Sequence, residues 1–172
     1  MRDRVQRIKC TPSLWKTFPE VPAATAWKHR FTQDALRYPI LVVLGPSRCG
    51  KTKWAKSLFQ NPLELKVGTW AHFPDAMRAF DRKRHDAVIL DDVRDLAFLA
   101  NHQEKLQGKY DTRVEFASAQ GGTCVYRKDL FAVPFVATVN YITANLPWLE
   151  SHDWVGNPEN RVVVSFDRPL HA

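Results

Sequence analysis

Residues 40–54 read Ile40-Leu41-Val42-Val43-Leu44-Gly45-Pro46-Ser47-Arg48-Cys49-Gly50-Lys51-Thr52-Lys53-Trp54. The first five are apolar, three of them β-branched, and Gly-Pro follows. A run this short and this apolar predicts a strand buried on both faces. Lys51 to Gln60 reads as a helix closed by Asn61-Pro62. Between strand and helix, Gly45, Pro46, Ser47, Arg48, Cys49, Gly50, Lys51 and Thr52 fit the pattern G-x-x-x-x-G-K-S/T. Its glycines let the backbone turn so that successive N–H groups face one phosphate. The positive end of the following helix adds to that field. Lys51 is placed for the β- and γ-phosphates of a nucleotide, and the Thr52 hydroxyl for Mg²⁺. Arg48 reads as solvent-facing and Cys49 as a small loop filler.

Working outward, residues 1–22 read as a basic irregular arm with Pro12, Pro19 and Pro22, and 23–172 as one domain. Ala23 to about Arg37 reads as a helix stopped by Pro39. Leu63–Val67 alternates as a short strand. Phe73–Arg84 reads as an amphipathic helix, and Arg94–Leu106 as another. Ala87–Leu90 and Phe135–Val139 are further buried-strand runs, and Val162–Phe166 is a last strand. Arg113–Phe116 and Thr123–Tyr126 alternate around Gly121-Gly122 and predict a hairpin with a long tip. Strands alternating with helices predict an α/β fold with a mostly parallel central sheet flanked by helices, from which the hairpin protrudes.

Asp91 and Asp92 follow the run Ala87–Leu90. Two carboxylates at the end of a buried strand repel each other and call for a cation. About forty residues after the phosphate loop, that cation reads as Mg²⁺ on Asp91, with Asp92 polarising a water. Asn140 ends the run Phe135–Val139. A neutral amide there can touch both a γ-phosphate and the attacking water without repelling either.

The chain has 172 residues, 45% hydrophobic and 25% charged, with six Trp and ten Phe. That is enough for one packed domain and excludes a wholly disordered chain. No apolar run approaches a bilayer span, so no membrane is expected. Cys10, Cys49 and Cys124 are odd in number and lack metal-ligand spacing, which argues against a disulfide scaffold or a zinc site and for a reducing compartment. The basic start carries no apolar stretch of the secretory kind. The net charge of +7 favours a polyanionic partner, nucleic acid first. Trp54, Trp70, Phe73, Phe80 and Phe98 read as core or interface. Trp148 and Trp154 are the aromatics placed to be weighed for stacking on a nucleotide, though most aromatics are simply buried surface.

Together these elements resemble the superfamily 3 helicase/ATPase domain, most closely that of the replication-associated (Rep) proteins of circular single-stranded DNA viruses such as circoviruses and geminiviruses. Gly45–Thr52 matches Walker A, Val88–Asp92 matches Walker B, Lys109–Lys128 the intervening B′ region and Val136–Asn140 motif C. Within B′, Lys109-Tyr110-Asp111, Val114-Glu115 and Gly121-Gly122-Thr123 carry the likeness, which spans about residues 38–167. It implies an AAA+-like P-loop core that assembles into a ring, usually hexameric. Such a ring hydrolyses ATP with Mg²⁺ at subunit interfaces and moves along single-stranded DNA, with RNA the alternative partner. It implies contacts to nucleic acid by Lys109, Arg127 and Lys128, and an arginine in trans, matched by Arg161. A nuclear location follows from the family alone.

Two departures stand out. Gln120 occupies the place where viral relatives often carry Lys, and the segment Val114–Gly121 is longer than usual. His29, His72, His85, His102, His152 and His171 are dispersed with no His-apolar-His pair, so no origin nicking is expected of this chain. Two other functions compete. A small-molecule P-loop kinase shares the strand, loop and helix, but usually carries an Arg-rich lid, and none is visible here. A non-catalytic nucleic-acid-binding remnant would keep the basic surface, but the intact Gly50-Lys51-Thr52 and Asp91-Asp92 favour hydrolysis.

Overall fold

The computed structural model describes residues 18–66, 72–117, 125–140 and 146–170. The first strand, β1 (Ile40–Gly45), is buried along its whole length. It sits between β6 (Phe135–Asn140) and β7 (Arg161–Ser165), parallel to both. β3 (Ala87–Asp91) joins β6, and β2 (Pro62–Lys66) joins β3, also in parallel. The five-stranded order is β2-β3-β6-β1-β7. Each buried strand was legible as an apolar run because a parallel sheet covered on both faces leaves no polar side to alternate with.

Alternate residues of β1 enter two different cores, as a period of two requires. Ile40, Val42 and Leu44 face the layer containing Phe73, Phe80, Phe98 and Phe116. Leu41 and Val43 face Trp27, Trp54 and Ala55 on the other side. That second layer is built by α1 (Pro22–Arg30) and α2 (Lys51–Ser57). Full burial of each Ile, Val, Leu or Phe side chain among them stabilises the fold by roughly 1.5–3 kcal/mol. The expected α/β architecture, a parallel central sheet flanked by helices with the phosphate loop between first strand and next helix, is the one found. The last residues described before α1 lie against the domain: Phe18 packs on this layer and the Trp54 indole donates to the Pro19 carbonyl at 3.2 Å.

The helices are shorter than their sequence patterns predict, each for a tertiary reason. α1 ends at Arg30 rather than Arg37. Phe31 stacks on Tyr38 at 4.8 Å, the Tyr38 hydroxyl donates to the Gln33 carbonyl, and Trp27 donates to the Pro39 carbonyl. These contacts turn the chain back toward β1. α2 ends at Ser57, because the backbone N–H groups of Gln60 and Asn61 are drawn to the Asp86 carboxylate at 2.7 and 3.0 Å. The helix expected over Phe73–Arg84 is α3 (His72–Ala76) followed by a 3₁₀ turn, Met77–Ala79. The one expected over Arg94–Leu106 divides into α4 (Ala97–Asn101) and α5 (Gln103–Leu106). His102 makes the break, its ring 4.9 Å from Phe73 and 4.6 Å from Phe98. α6 (Leu146–Ser151), which no sequence pattern announced, buries Leu149.

The hairpin is β4 (Arg113–Ala117) with β5 (Val125–Asp129), paired antiparallel. The tip, with Gln120, Gly121-Gly122-Thr123 and Cys124, lies outside the described residues, as do most of the basic arm, Trp70, Cys10 and His171. Phe116 is buried and stacks on Tyr126 at 5.1 Å. Lys128 donates to the carbonyls of Phe80 and Arg78 at 2.6 and 3.1 Å, and the Tyr126 hydroxyl donates to that of Pro74. Burial, reinforced by Asp75 and opposed by Arg78, pushes the Tyr126 phenol up to about 12, so it stays a donor. The hairpin thus takes carbonyls that a longer α3 would have used itself.

Candidate functional site

The loop between β1 and α2 closes over one end of the sheet. Gly50 has φ 96°, a left-handed backbone that favours glycine. At Gly45 a side chain would meet Cys49 Sγ at 3.0 Å and the Phe166 carbonyl at 3.1 Å. Cys49 is buried under the loop and Arg48 is exposed, as their sequence readings had it. The segment after β7 braces the loop from behind, with Leu170 N–H donating to the Cys49 carbonyl at 2.8 Å. Lys51 is only 7% exposed, and its ammonium is held by three oxygens. It donates to the carbonyls of Pro46 and Gly45 at 2.7 and 3.0 Å and to Asn140 Oδ1 at 2.9 Å. A buried cation needs such acceptors, and a phosphate oxygen can replace one of them.

The two acids take different partners. Asp91 Oδ1 accepts from the hydroxyls of Thr52 at 2.6 Å and Thr138 at 3.2 Å. Asp92 Oδ1 accepts from the Asn140 amide at 3.1 Å, and its Oδ2 lies 3.5 Å from Arg94 Nε. The Asp92 backbone N–H donates to Thr138 Oγ1 at 2.9 Å. Asn140 therefore spans the site, with its oxygen on Lys51 and its nitrogen on Asp92. Asp92 and Arg48 both have positive φ, 55° and 61°, and both line the cleft. Among the described residues, two of the four non-glycine residues with that costly backbone lie at this one site, and such strain gathers where function over-determines the chain.

The cleft has a volume of about 400 Å³ and is lined by Ser47–Lys53, Asp91, Asp92, Thr138 and Asn140. A hydroxyl and a carboxylate in contact, Thr52 and Asp91, are hard oxygen donors of the kind that hold Mg²⁺ together with phosphate oxygens. Among the described residues no group of three or more His, Cys, Asp or Glu is placed to hold a metal by itself. The donor set fits Mg²⁺ shared with a phosphate substrate.

No protein-family profile matches the chain. No curated protein matches it either. A solved structure of NtrX from Brucella abortus in complex with ADP is similar with a TM-score of 0.45 and 15% identity, over 89% of this chain and 37% of that one. The same protein in complex with ATP gives 0.43 and 15%, over 87% and 36%. This chain spans a little over a third of the length of those chains.

The other residues singled out from sequence lie elsewhere. Arg161 opens β7 beside Ile40, at the opposite end of the sheet from the phosphate loop. At ~3.3 Å per residue it stands about 16 Å from Gly45 along the strands. Its Nε donates to the Val155 carbonyl at 2.7 Å. It has no place in its own chain's cleft. Lys109 is exposed before the hairpin. Arg127 pairs with Glu115 across the hairpin at 3.1 Å. The Lys128 ammonium is turned inward onto Phe80 and Arg78. Trp154 is buried and donates to Gln107 Oε1 at 2.9 Å, so it faces the core and not the cleft.

Sequence reasoning missed Thr138 and Arg94. A threonine buried inside the apolar run Phe135–Val139 was the available signal for the first. Arg94 carried none, because its contact depends on the turn that Asp92 makes. Among the described residues no helix is long and apolar enough to cross a membrane.

Proposed function

We propose that this chain binds and hydrolyses ATP with Mg²⁺ and couples hydrolysis to single-stranded nucleic acid, as a motor resembling the superfamily 3 domain of viral Rep proteins. The observation that supports it most is Asn140 held between Lys51 and Asp92. One side chain thereby links the group that faces phosphate to the group that faces water.

In this reading the loop N–H groups and Lys51 hold the β- and γ-phosphates. Thr52 and Asp91 hold Mg²⁺, which neutralises charge on the phosphate oxygens. Asp92 orients a water and draws on its proton as the water oxygen bonds to the γ-phosphorus. The bond to the bridging oxygen of ADP breaks in the same displacement. Asn140 keeps Asp92 and Lys51 in register and responds to the phosphate without adding charge. Arg161 acts in a second copy of the chain, whose cleft it would complete across an interface of a ring. Lys109 and Arg127 contribute to nucleic-acid contact.

The test is phosphate release from Mg²⁺-ATP with and without single-stranded DNA, at concentrations that allow oligomers. Stimulation by DNA is expected. Hydrolysis that DNA leaves unchanged contradicts the coupling, and transfer of phosphate to a small acceptor points to the kinase alternative.

A further inference from the structure

At the end of the sheet where the parallel strands begin, a groove of about 510 Å³ runs between the base of the β4–β5 hairpin and the turn before β3. Arg78, Arg82, Arg84, Arg113, Arg127 and Lys128 line it, against the two carboxylates Asp81 and Asp129. Both carboxylates are already engaged. Asp81 accepts the Lys83 N–H at 2.9 Å, which fixes the turn that turns Arg82 and Arg84 outward. Asp129 accepts the Phe131 N–H at 3.1 Å and pairs with Arg82 at 3.3 Å. Among the described residues Arg84 and Arg113 make no ion pair, and both are exposed.

Past Arg82 and Arg113 the groove opens into a second hollow of about 390 Å³, walled by Tyr110 and Phe131 and lined also by Thr112 and the carboxylate of Asp111. Tyr110 is 67% exposed and stands edge-on to Phe131 at 5.3 Å. Phe131 is itself anchored, its carbonyl accepting from Arg82 at 2.6 Å. An open tyrosine ring beside a row of guanidinium groups offers two things at once. The cations suit a phosphate backbone, and the ring face suits an unstacked base. An acidic peptide would use the first and leave the second idle. In a duplex the bases are stacked away from the ring.

We propose that this groove binds a segment of single-stranded nucleic acid, with backbone phosphates on Arg82, Arg84 and Arg113 and a base on Tyr110. The site rests on the nucleic-acid half of the function proposed above and not on its nucleotide half. It lies at the base of the hairpin, at the opposite end of the sheet from the phosphate loop, and draws on three segments of chain. Phosphate contacts by arginine and stacking on tyrosine carry no sequence preference, which suits a strand that slides.

The test is fluorescence anisotropy in nucleotide-free buffer, with labelled oligodeoxyuridylate and oligouridylate of about twenty nucleotides, long enough to cover a typical single-strand site. The better-bound probe identifies the sugar. Arg84→Gln/Arg113→Gln is expected to weaken binding roughly tenfold and to lower the slope of log affinity against log salt by about 1.4, at about 0.7 per phosphate. Tyr110→Ala is expected to weaken it about 5- to 150-fold with the slope kept. Lys66→Gln/Arg168→Gln removes two exposed cations elsewhere and is expected to change neither. The proposal is overturned if the Arg84/Arg113 variant binds like wild type or no worse than this control. It is also overturned if Tyr110→Ala binds like wild type, or if duplex binds as tightly as single strand. Because no nucleotide is present, a chain that fails to hydrolyse ATP leaves this result readable. A chain that hydrolyses ATP but binds no oligonucleotide loses the groove and keeps the nucleotide site.

Discussion

Thr52 donates its hydroxyl to Asp91 Oδ1 at 2.6 Å, which ties the first turn of the helix after the phosphate loop to the end of a strand 39 residues later. The pair is the proposed seat of Mg²⁺. Thr52→Ala and Asp91→Asn should each raise the Mg²⁺ concentration needed for half-maximal hydrolysis. Thr52→Ser, which keeps the hydroxyl, should restore most of the wild-type value. A magnesium titration of phosphate release distinguishes the three.

Lys51 is buried against three oxygen acceptors, so its removal takes away the phosphate-facing charge. Lys51→Ala should abolish ATP binding in a fluorescent-nucleotide titration. The fold should survive, because the space left opens into the cleft. Retained affinity would mean that the loop does not hold the phosphates.

Asp92 reaches the cleft through a left-handed backbone and holds its carboxylate between Asn140 and Arg94. Asp92→Asn keeps the side-chain shape and removes the charge. ATP affinity should stay within a few-fold of wild type, while hydrolysis falls at least about a hundredfold, the usual range for a lost proton acceptor. Equal turnover would remove Asp92 from the mechanism.

His102 gives the stability a pH dependence. Burial, with the Lys105 charge second, lowers it from 6.5 to about 4. Above pH 6.5 it is neutral in both folded and unfolded chains and contributes nothing. Below that the unfolded chain takes up a proton that the fold refuses until about pH 4. Stability therefore falls across that window, by up to about 3 kcal/mol at 1.4 per pH unit. Urea midpoints at pH 7.5 and 5 should show the loss, and His102→Leu should reduce it.

Gly108 lies against the chain entering β6. A Cβ there would stand 2.6 Å from the Leu130 carbonyl carbon and 2.8 Å from Phe131 N. Backbone cannot yield as a side chain can, so Gly108→Ala should cost about 1–3 kcal/mol, as overpacking does. Thermal unfolding measures it, and an unchanged midpoint would contradict the packing.

Five strands and the phosphate loop were legible because they rest on local signals: apolar runs, Gly-Pro, and Gly50-Lys51-Thr52. Asn140 was legible from its order after loop and acid pair. Helix ends were not, since Asp86 captures the N–H groups after α2 and Lys128 captures the carbonyls after α3, both across long stretches of chain. Thr138 and Arg94 escaped for a similar reason. Their partners are set by the register of β3 against β6 and by the turn at Asp92. Arg84 and Arg113 share a groove only because the hairpin folds back on the turn before β3, which no linear spacing displays.

The most direct test of the central claim is single-turnover phosphate release from Mg²⁺-ATP by wild type and Asn140→Ala, with nucleotide affinity measured alongside. Asn140 joins Lys51 to Asp92, so its loss should slow hydrolysis about 10²- to 10³-fold, the range for removing one preorganised donor, with affinity changed little. An Asn140→Ala chain that releases phosphate at the wild-type rate, or a wild type that releases none, would contradict the account.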